Sequence, residues 1–326
     1  MPAPQMAPDT PPPWIVPFAA ASAPGCQTLL PGLQLPNLQA LLDRLAPQTE
    51  DEGTEHSLSP PHERALAQAL GLPVRDGQLP WAAADSDAPG TPQAWFSPCH
   101  FQIGIDQVTL LPADQIGLDE TGSRALLAAL APLCEEDGMS LQFVDSGRWR
   151  ASGEPLRGLV CASLDRVSGR PVGPWLTESP DNPQGHRLLQ RLQSEAQMLF
   201  YTLPVNDTRE AACLLPVNGF WVHGAGACEA PERLQPAPRC PDSLRQAALR
   251  DDWAAWQTAW QALDTGLMAE LLRATEAGHP VHLTLCGERH ARTWATPGPG
   301  QAGSLWQRLR ARWRRPDPVG ETLALL

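Results

Sequence analysis

Strand-forming runs are divided between the two ends of this chain, and that division constrains its fold more than any other feature. Trp14-Ile15-Val16-Pro17-Phe18 reads as a short buried strand, and Val281 to Leu285 alternates as another. Neither the first 98 residues nor the last hundred has strands enough for a complete doubly wound sheet. The pattern alone supports mixed α and β, and a doubly wound α/β core built from either end would need strands from elsewhere in the chain.

Helical patterns accompany each terminal strand. Leu35 to Leu42 reads as a helix with Asn37 as candidate cap, and His62 to Leu70 as a second that Gly71 stops, with polar Gln48 to Ser57 as the separator. Near the other end, a helix from about Asp252 to Ala274 carries Trp253, Trp256, Trp260, Leu263, Leu267 and Leu271 on one side. A stripe of that spacing is expected to be a packed core face.

The middle reads as α+β. Phe101 to Ile105 alternates as a half-buried strand, and a helix follows from Asp119 to Asp137-Gly138 with Leu126, Leu127, Leu130 and Leu133 in one stripe. Leu141 to Val144, Arg148 to Arg150 and Gly158 to Cys161 are strand candidates. A helix from about His186 to Leu203, with Leu188, Leu192, Leu199 and Leu203 on one face, ends at Pro204; a strand from Val217 to Val222 then leads into a Gly224-Ala225-Gly226 turn.

Composition narrows the function classes. The formal charge is −12 and all 24 basic residues are arginine, which argues against a general grip on nucleic acid and excludes Schiff-base and P-loop lysine chemistry. The eight cysteines, Cys26, Cys99, Cys134, Cys161, Cys213, Cys228, Cys240 and Cys286, form no C-x-x-C pair and are expected to be reduced. With no apolar run long enough to span a bilayer and no secretory signal pattern, the expected compartment is the cytoplasm. Residues 1–13 carry six prolines and read as an arm, while Pro297 to Gly303 read as a linker to a basic, aromatic tail holding Trp306, Arg308, Arg310, Arg312, Trp313, Arg314 and Arg315.

Leu203-Pro204-Val205-Asn206-Asp207-Thr208-Arg209, Leu215-Pro216-Val217-Asn218 and Val222-His223-Gly224-Ala225-Gly226 resemble a signature of the archaeal-type cofactor-independent phosphoglycerate mutases, near the end of their inserted domain. Cys99-His100-Phe101, the helix from Asp119, Ser146-Gly147-Arg148-Trp149-Arg150, Leu35-Pro36-Asn37-Leu38 and Ala69-Leu70-Gly71-Leu72-Pro73 are similar to further segments of that family. Leu58 to Ala67 and Leu283 to His290 look closer still to a bacterial group of RpfE-type regulatory proteins. The resemblance implies a reduced alkaline phosphatase-like core from 14–98 and 229–296, an α+β insert at 99–228, and a linker and tail at 297–326.

In that family two divalent metals held by Asp and His activate a serine that carries the phosphoryl group. This chain has Pro17-Phe18-Ala19, Pro61-His62-Glu63 and Gly287-Glu288-Arg289-His290 where the metal and nucleophile motifs would stand. The expectation is a catalytically degenerate relative, regulatory or ligand-binding, without a cofactor. The alternatives are a divergent mutase or phosphatase using Mn or Zn at Glu288, His290 and a third donor, and an interaction protein whose basic tail meets an anionic partner. His282 and Cys286 would share a strand face yet stand about 13 Å apart, too far for one ion. By family position Arg148, Arg150, Asn206, Arg209, Asn218 and His223 are candidates for an anion pocket taking a phosphorylated or carboxylated small molecule, and a protein partner is the other expected ligand.

Overall fold

The computed structural model describes residues 12–230, 234–297 and 318–326. Most of the expected arm and linker, and the whole segment from Trp306 to Arg315, lie outside them. The described residues form two compact units, one drawn from 12–55, 60–71, 235–297 and 318–326, the other from 56–59, 72–230 and 234.

The first unit holds a four-stranded sheet. Strand β1 (Trp14–Val16) pairs in parallel with β8 (His282–Cys286), which pairs with β9 (His290–Ala295), which in turn pairs with β2 (Ala46–Glu52) at the other edge. The first half of the separator expected over Gln48 to Ser57 is thus strand: polar β2 is exposed along Pro47–Glu50 and needs no apolar alternation, because it is an edge. Val16, Leu283, Leu285 and Trp294 bury one sheet face against α2 (Pro36–Leu42), α10 (Trp253–Leu263), α11 (Ala269–Glu276) and α12 (Val319–Ala324). Ile15, Cys286 and Ala291 turn the other way, toward Ala65, Leu66 and Ala69 of α3 (Pro61–Leu70), so the period of two sorts residues between two helical layers.

The tryptophan stripe is core, as its spacing predicts. Trp256 and Trp260 are fully buried and meet edge to face at 6.3 Å. A buried indole needs an acceptor for its N–H. Trp256 Nε1 donates to the Phe18 carbonyl at 2.9 Å and Trp260 Nε1 to that of Ala19 at 3.1 Å, while Ala19 N donates to Cys286 O at 2.8 Å. These bonds fix the chain as it leaves β1, where Phe18 takes a left-handed φ of 55°.

The expected single helix from Asp252 to Ala274 is broken by a π turn, Asp264–Met268, which moves the buried positions from the Leu263 and Leu267 line to Asp264 and Met268. Asp264 then replaces Asn37 as the cap of α2. Its Oδ1 accepts from Leu38 N at 2.8 Å and its Oδ2 from Asn37 N at 3.3 Å and Asn37 Nδ2 at 3.1 Å; Leu35 occupies the cap position with no side-chain bond of its own.

In the second unit, β3 (Gln93–Ile103) pairs antiparallel with β4 (Val108–Pro112), β6 (Arg148–Ser152) and β7 (Gly219–Gly226), and β5 (Ser140–Asp145) pairs with β6. Ala94, Phe96, Trp149, Phe220 and Val222 pack one face against α5 (Glu120–Glu136) and α7 (Pro183–Tyr201). Asp119 caps α5 by accepting from Gly122 N. On α7 the fully covered stripe is Leu189, Leu192, Ala196 and Phe200, with Leu188, Leu199 and Leu203 at its margin, and the chain restarts at Pro204 as α8 (Pro204–Ala211). Gly158 to Cys161 is not a strand; Cys161 N bonds Gly77 O outside any ladder. Gly224 and Gly226 lie within β7 rather than a turn, at positive φ of 61° and 133°, beside an irregularity in the pairing with β3.

Removing the Asp264 cap in Asp264→Ala is expected to cost about 2 kcal/mol in urea unfolding of the full chain; an unchanged midpoint would show the carboxylate to be dispensable. Burial pushes the pKa of His282 below its ordinary 6.5. The unfolded chain then binds the extra proton, so stability present above the unfolded value is lost as pH falls through it toward the folded one. Thermal midpoints should drop on acidification below 6.5, and drop less in His282→Gln; equal drops would rule His282 out as the source.

Candidate functional site

Strand alternation turns one face of the second sheet to α5 and α7; the other is apolar around Cys99, Leu110 and Trp221 and polar around Trp95. Register places Arg150 of β6 and His223 of β7 on either side of Trp95 of β3, all projecting from the face opposite Phe96 and Trp149. Two residues along, Arg148 and Ser97 share that face. The Arg148 and Arg150 guanidinium carbons lie 5.2 and 4.8 Å from the Trp95 ring centroid, and the ring itself is 3% exposed.

Each arginine also has an acid. Arg148 pairs with Asp145 at 2.8 Å, and Arg150 Nη2 donates to the Asp85 carbonyl at 2.8 Å and its carboxylate at 3.3 Å. Asp85 ends α4 (Trp81–Ala84). Gly224 belongs to the same arrangement, because a Cβ there would stand 3.0 Å from both Trp81 and Trp95. Beyond Trp95, Ser97 Oγ and His223 Nε2 are 3.0 Å apart, both buried. Arg150 Nε and Gln93 Oε1 are buried with no hydrogen-bond partner among the described residues, which marks this face as polar capacity in excess of its own pairing.

The six expected pocket residues divide here. Arg148, Arg150 and His223 come together around Trp95. Asn206, Arg209 and Asn218 do not join them; their polar atoms hold main chain. Asn206 donates to Phe200 O and Val217 O and accepts from Val217 N, each at 2.8 Å. Arg209 reaches Leu215 O, Gly117 O and Ile116 O at 2.9, 3.3 and 2.6 Å, and its burial lowers its pKa from the ordinary arginine value. Asn218 exchanges two bonds with the Phe101 peptide, at 2.7 and 3.0 Å, in the manner of a ladder residue. Trp95, Ser97 and Asp85 were not among the expected residues; alternation of Gln93, Trp95 and Ser97 was the available signal, obscured by Pro98.

Glu288 lies in the turn between β8 and β9, where Oε2 accepts from Ser22 N at 2.9 Å and from the Ser22 hydroxyl. His290 opens β9 opposite Glu52, its Nδ1 buried without a hydrogen-bond partner. Among the described residues, no three His, Cys, Asp or Glu are grouped so as to hold a metal ion. Glu288 and His290 thus have no third such donor grouped with them among the described residues. No described helix is long and apolar enough to cross a membrane.

Asn206→Ala removes three main-chain bonds in a buried setting and is expected to lower stability by about 3 kcal/mol in chemical unfolding. A loss of ligand binding with unchanged stability would instead return Asn206 to the ligand-contacting set.

Comparison with protein-family models finds no match, and comparison with curated proteins finds none either. Among the solved structures similar to this chain are the cofactor-independent phosphoglycerate mutase from Thermoplasma acidophilum DSM 1728, 14% identical, covering 87% of this chain and 89% of that one at a TM-score of 0.36. Another is the PH0037 protein from Pyrococcus horikoshii, 9% identical over 88% of each chain at a TM-score of 0.43.

Proposed function

We propose that this chain is a ligand-binding or regulatory protein, a catalytically degenerate relative of the cofactor-independent phosphoglycerate mutases, and that the Trp95 face of its second unit is the ligand surface. The family assignment, and with it the RpfE-type grouping, the phosphatase-like core and the inserted domain, rests on the residues that carry the resemblance, Leu203 to Gly226 above all. The observation that carries the binding role is the Arg148–Trp95–Arg150 stack. Two guanidiniums held over one buried indole offer forked donors, which suit carboxylates and phosphates.

Asp85 and Asp145 temper that charge. An incoming anion has to share or displace them, which favours a ligand with two or more anionic oxygens over a single chloride-like charge. Arg148, with its side chain 46% exposed, is the first to be met; Arg150, at 16%, lies deeper. At the other site, the Glu288 carboxylate is engaged by Ser22, and no catalytic step is assigned to it.

The purified full chain should show no conversion of 3-phosphoglycerate to 2-phosphoglycerate with manganese, zinc or cobalt. Its thermal midpoint should rise with 3-phosphoglycerate, and the rise should disappear in Arg148→Ala and Arg150→Ala. Chelator-sensitive turnover that is lost in Glu288→Ala or His290→Ala would overturn the degenerate reading and make the protein a divergent metalloenzyme. An equal rise in wild type and both variants would remove the Trp95 face.

A further inference from the structure

Strand β2 is the outer strand of the first unit's sheet, and among the described residues no strand pairs with its far edge. Pro47, Gln48, Thr49 and Glu50 are exposed, and the pairing with β9 is irregular between Pro47 and Thr49. A cleft of ≈610 Å³ is bounded by β2 and its neighbour β9, by Gln39 and Leu42 of α2 with Asp43 just after it, and by Thr322 of α12. An open edge presents main-chain N–H and C=O groups in the spacing of a further strand.

The side chains along the edge select what can use it. Asp43, Glu50, Asp51 and Glu52 bring four carboxylates, of which Asp51 pairs with Arg64 at 2.6 Å and Glu50 with Arg292 at 3.1 Å. Two copies of β2 laid edge to edge would oppose like charges, which disfavours a second copy of this chain as the occupant. Proline, pairing irregularity and acids together are the usual protection of an edge against its own kind. Opposite charge reverses the electrostatic part of that protection, since a basic strand would meet Glu50 and Glu52 on one face of β2, with Glu50 shared with Arg292.

We propose that the β2 edge and its cleft form a docking site for an extended basic segment of a partner protein, added as a fifth strand with basic side chains alternating along it. The partner's main chain pairs with β2, every second residue places a guanidinium or ammonium by Glu50 and Glu52, and the intervening small apolar residues lie on the other face. This site involves none of the Trp95 face, so the two stand or fall separately.

The test is fluorescence anisotropy of a labelled peptide of alternating arginine and valine with the full chain. A peptide of the same composition, with the arginines and valines in separate blocks, serves as control. The alternating peptide is expected to bind at least about tenfold more tightly than the block peptide, and Glu50→Gln with Glu52→Gln to remove most of that difference while leaving the circular dichroism spectrum unchanged. Equal binding of the two peptides would mean generic charge attraction and overturn strand addition. Binding that emerges only when Arg308, Arg310, Arg312 and Arg314 are changed to Gln would show the edge to be taken by this chain's own basic segment, and would overturn the partner assignment.

Discussion

The two buried indoles of Trp256 and Trp260 set the geometry of the first unit. An indole brings a large apolar surface and one N–H that requires an acceptor once water is excluded. Here the acceptors are consecutive carbonyls, Phe18 and Ala19, at the exit of a strand only three residues long. β1 makes a short ladder with β8, and the tryptophans extend its restraint past the last paired residue. The left-handed turn at Phe18 is tolerated because these bonds and the Ala19 to Cys286 bond over-determine it. The loop that follows, through Ser22, is held in turn by Glu288.

The second unit depends on alternation of a different quality. One face of its sheet is a jigsaw of Phe96, Trp149, Phe220 and helix side chains; the other carries arginine, serine, histidine and a tryptophan in register. Trp149 and Trp95 make the contrast plain. Trp149 lies between two arginines in sequence, yet it faces the helices and bonds Ser123, while those arginines stack on Trp95 from a neighbouring strand. A tripeptide that looks like one basic patch is in fact divided between a core and a surface.

Much of the helical framework was legible because caps and stops are local: Asp119 before α5, Gly71 after α3, Pro204 between α7 and α8. The tryptophan stripe was legible for the same reason, as periodicity. What was not legible was non-local. Strand β2 is polar along its length and is a strand only because β9 lies beside it. The first half of β3 contains Pro98 and is buried on both faces, which obscures the alternation of Gln93, Trp95 and Ser97. Asp264 caps a helix more than two hundred residues earlier in the chain, which no window of sequence reveals. At the candidate site the resemblance named residues but not their neighbours. Asn206, Arg209 and Asn218 are polar and belong to the same sequence signature as His223, and only the hydrogen bonds show that they hold loops together.

The π turn at Asp264–Met268 adds one residue to what would otherwise be a continuous helix. One extra residue advances the helical phase by roughly 100°. The tryptophans before it and Leu271 after it are thereby aimed on separate bearings, one toward the β1 exit, the other toward α2. The insertion thus acts as a phase joint, letting a single rod of chain clamp two parts of the fold that no straight helix could face at once. Its length is as tightly specified as any side chain in the core, since deleting one residue would re-aim every contact downstream of it.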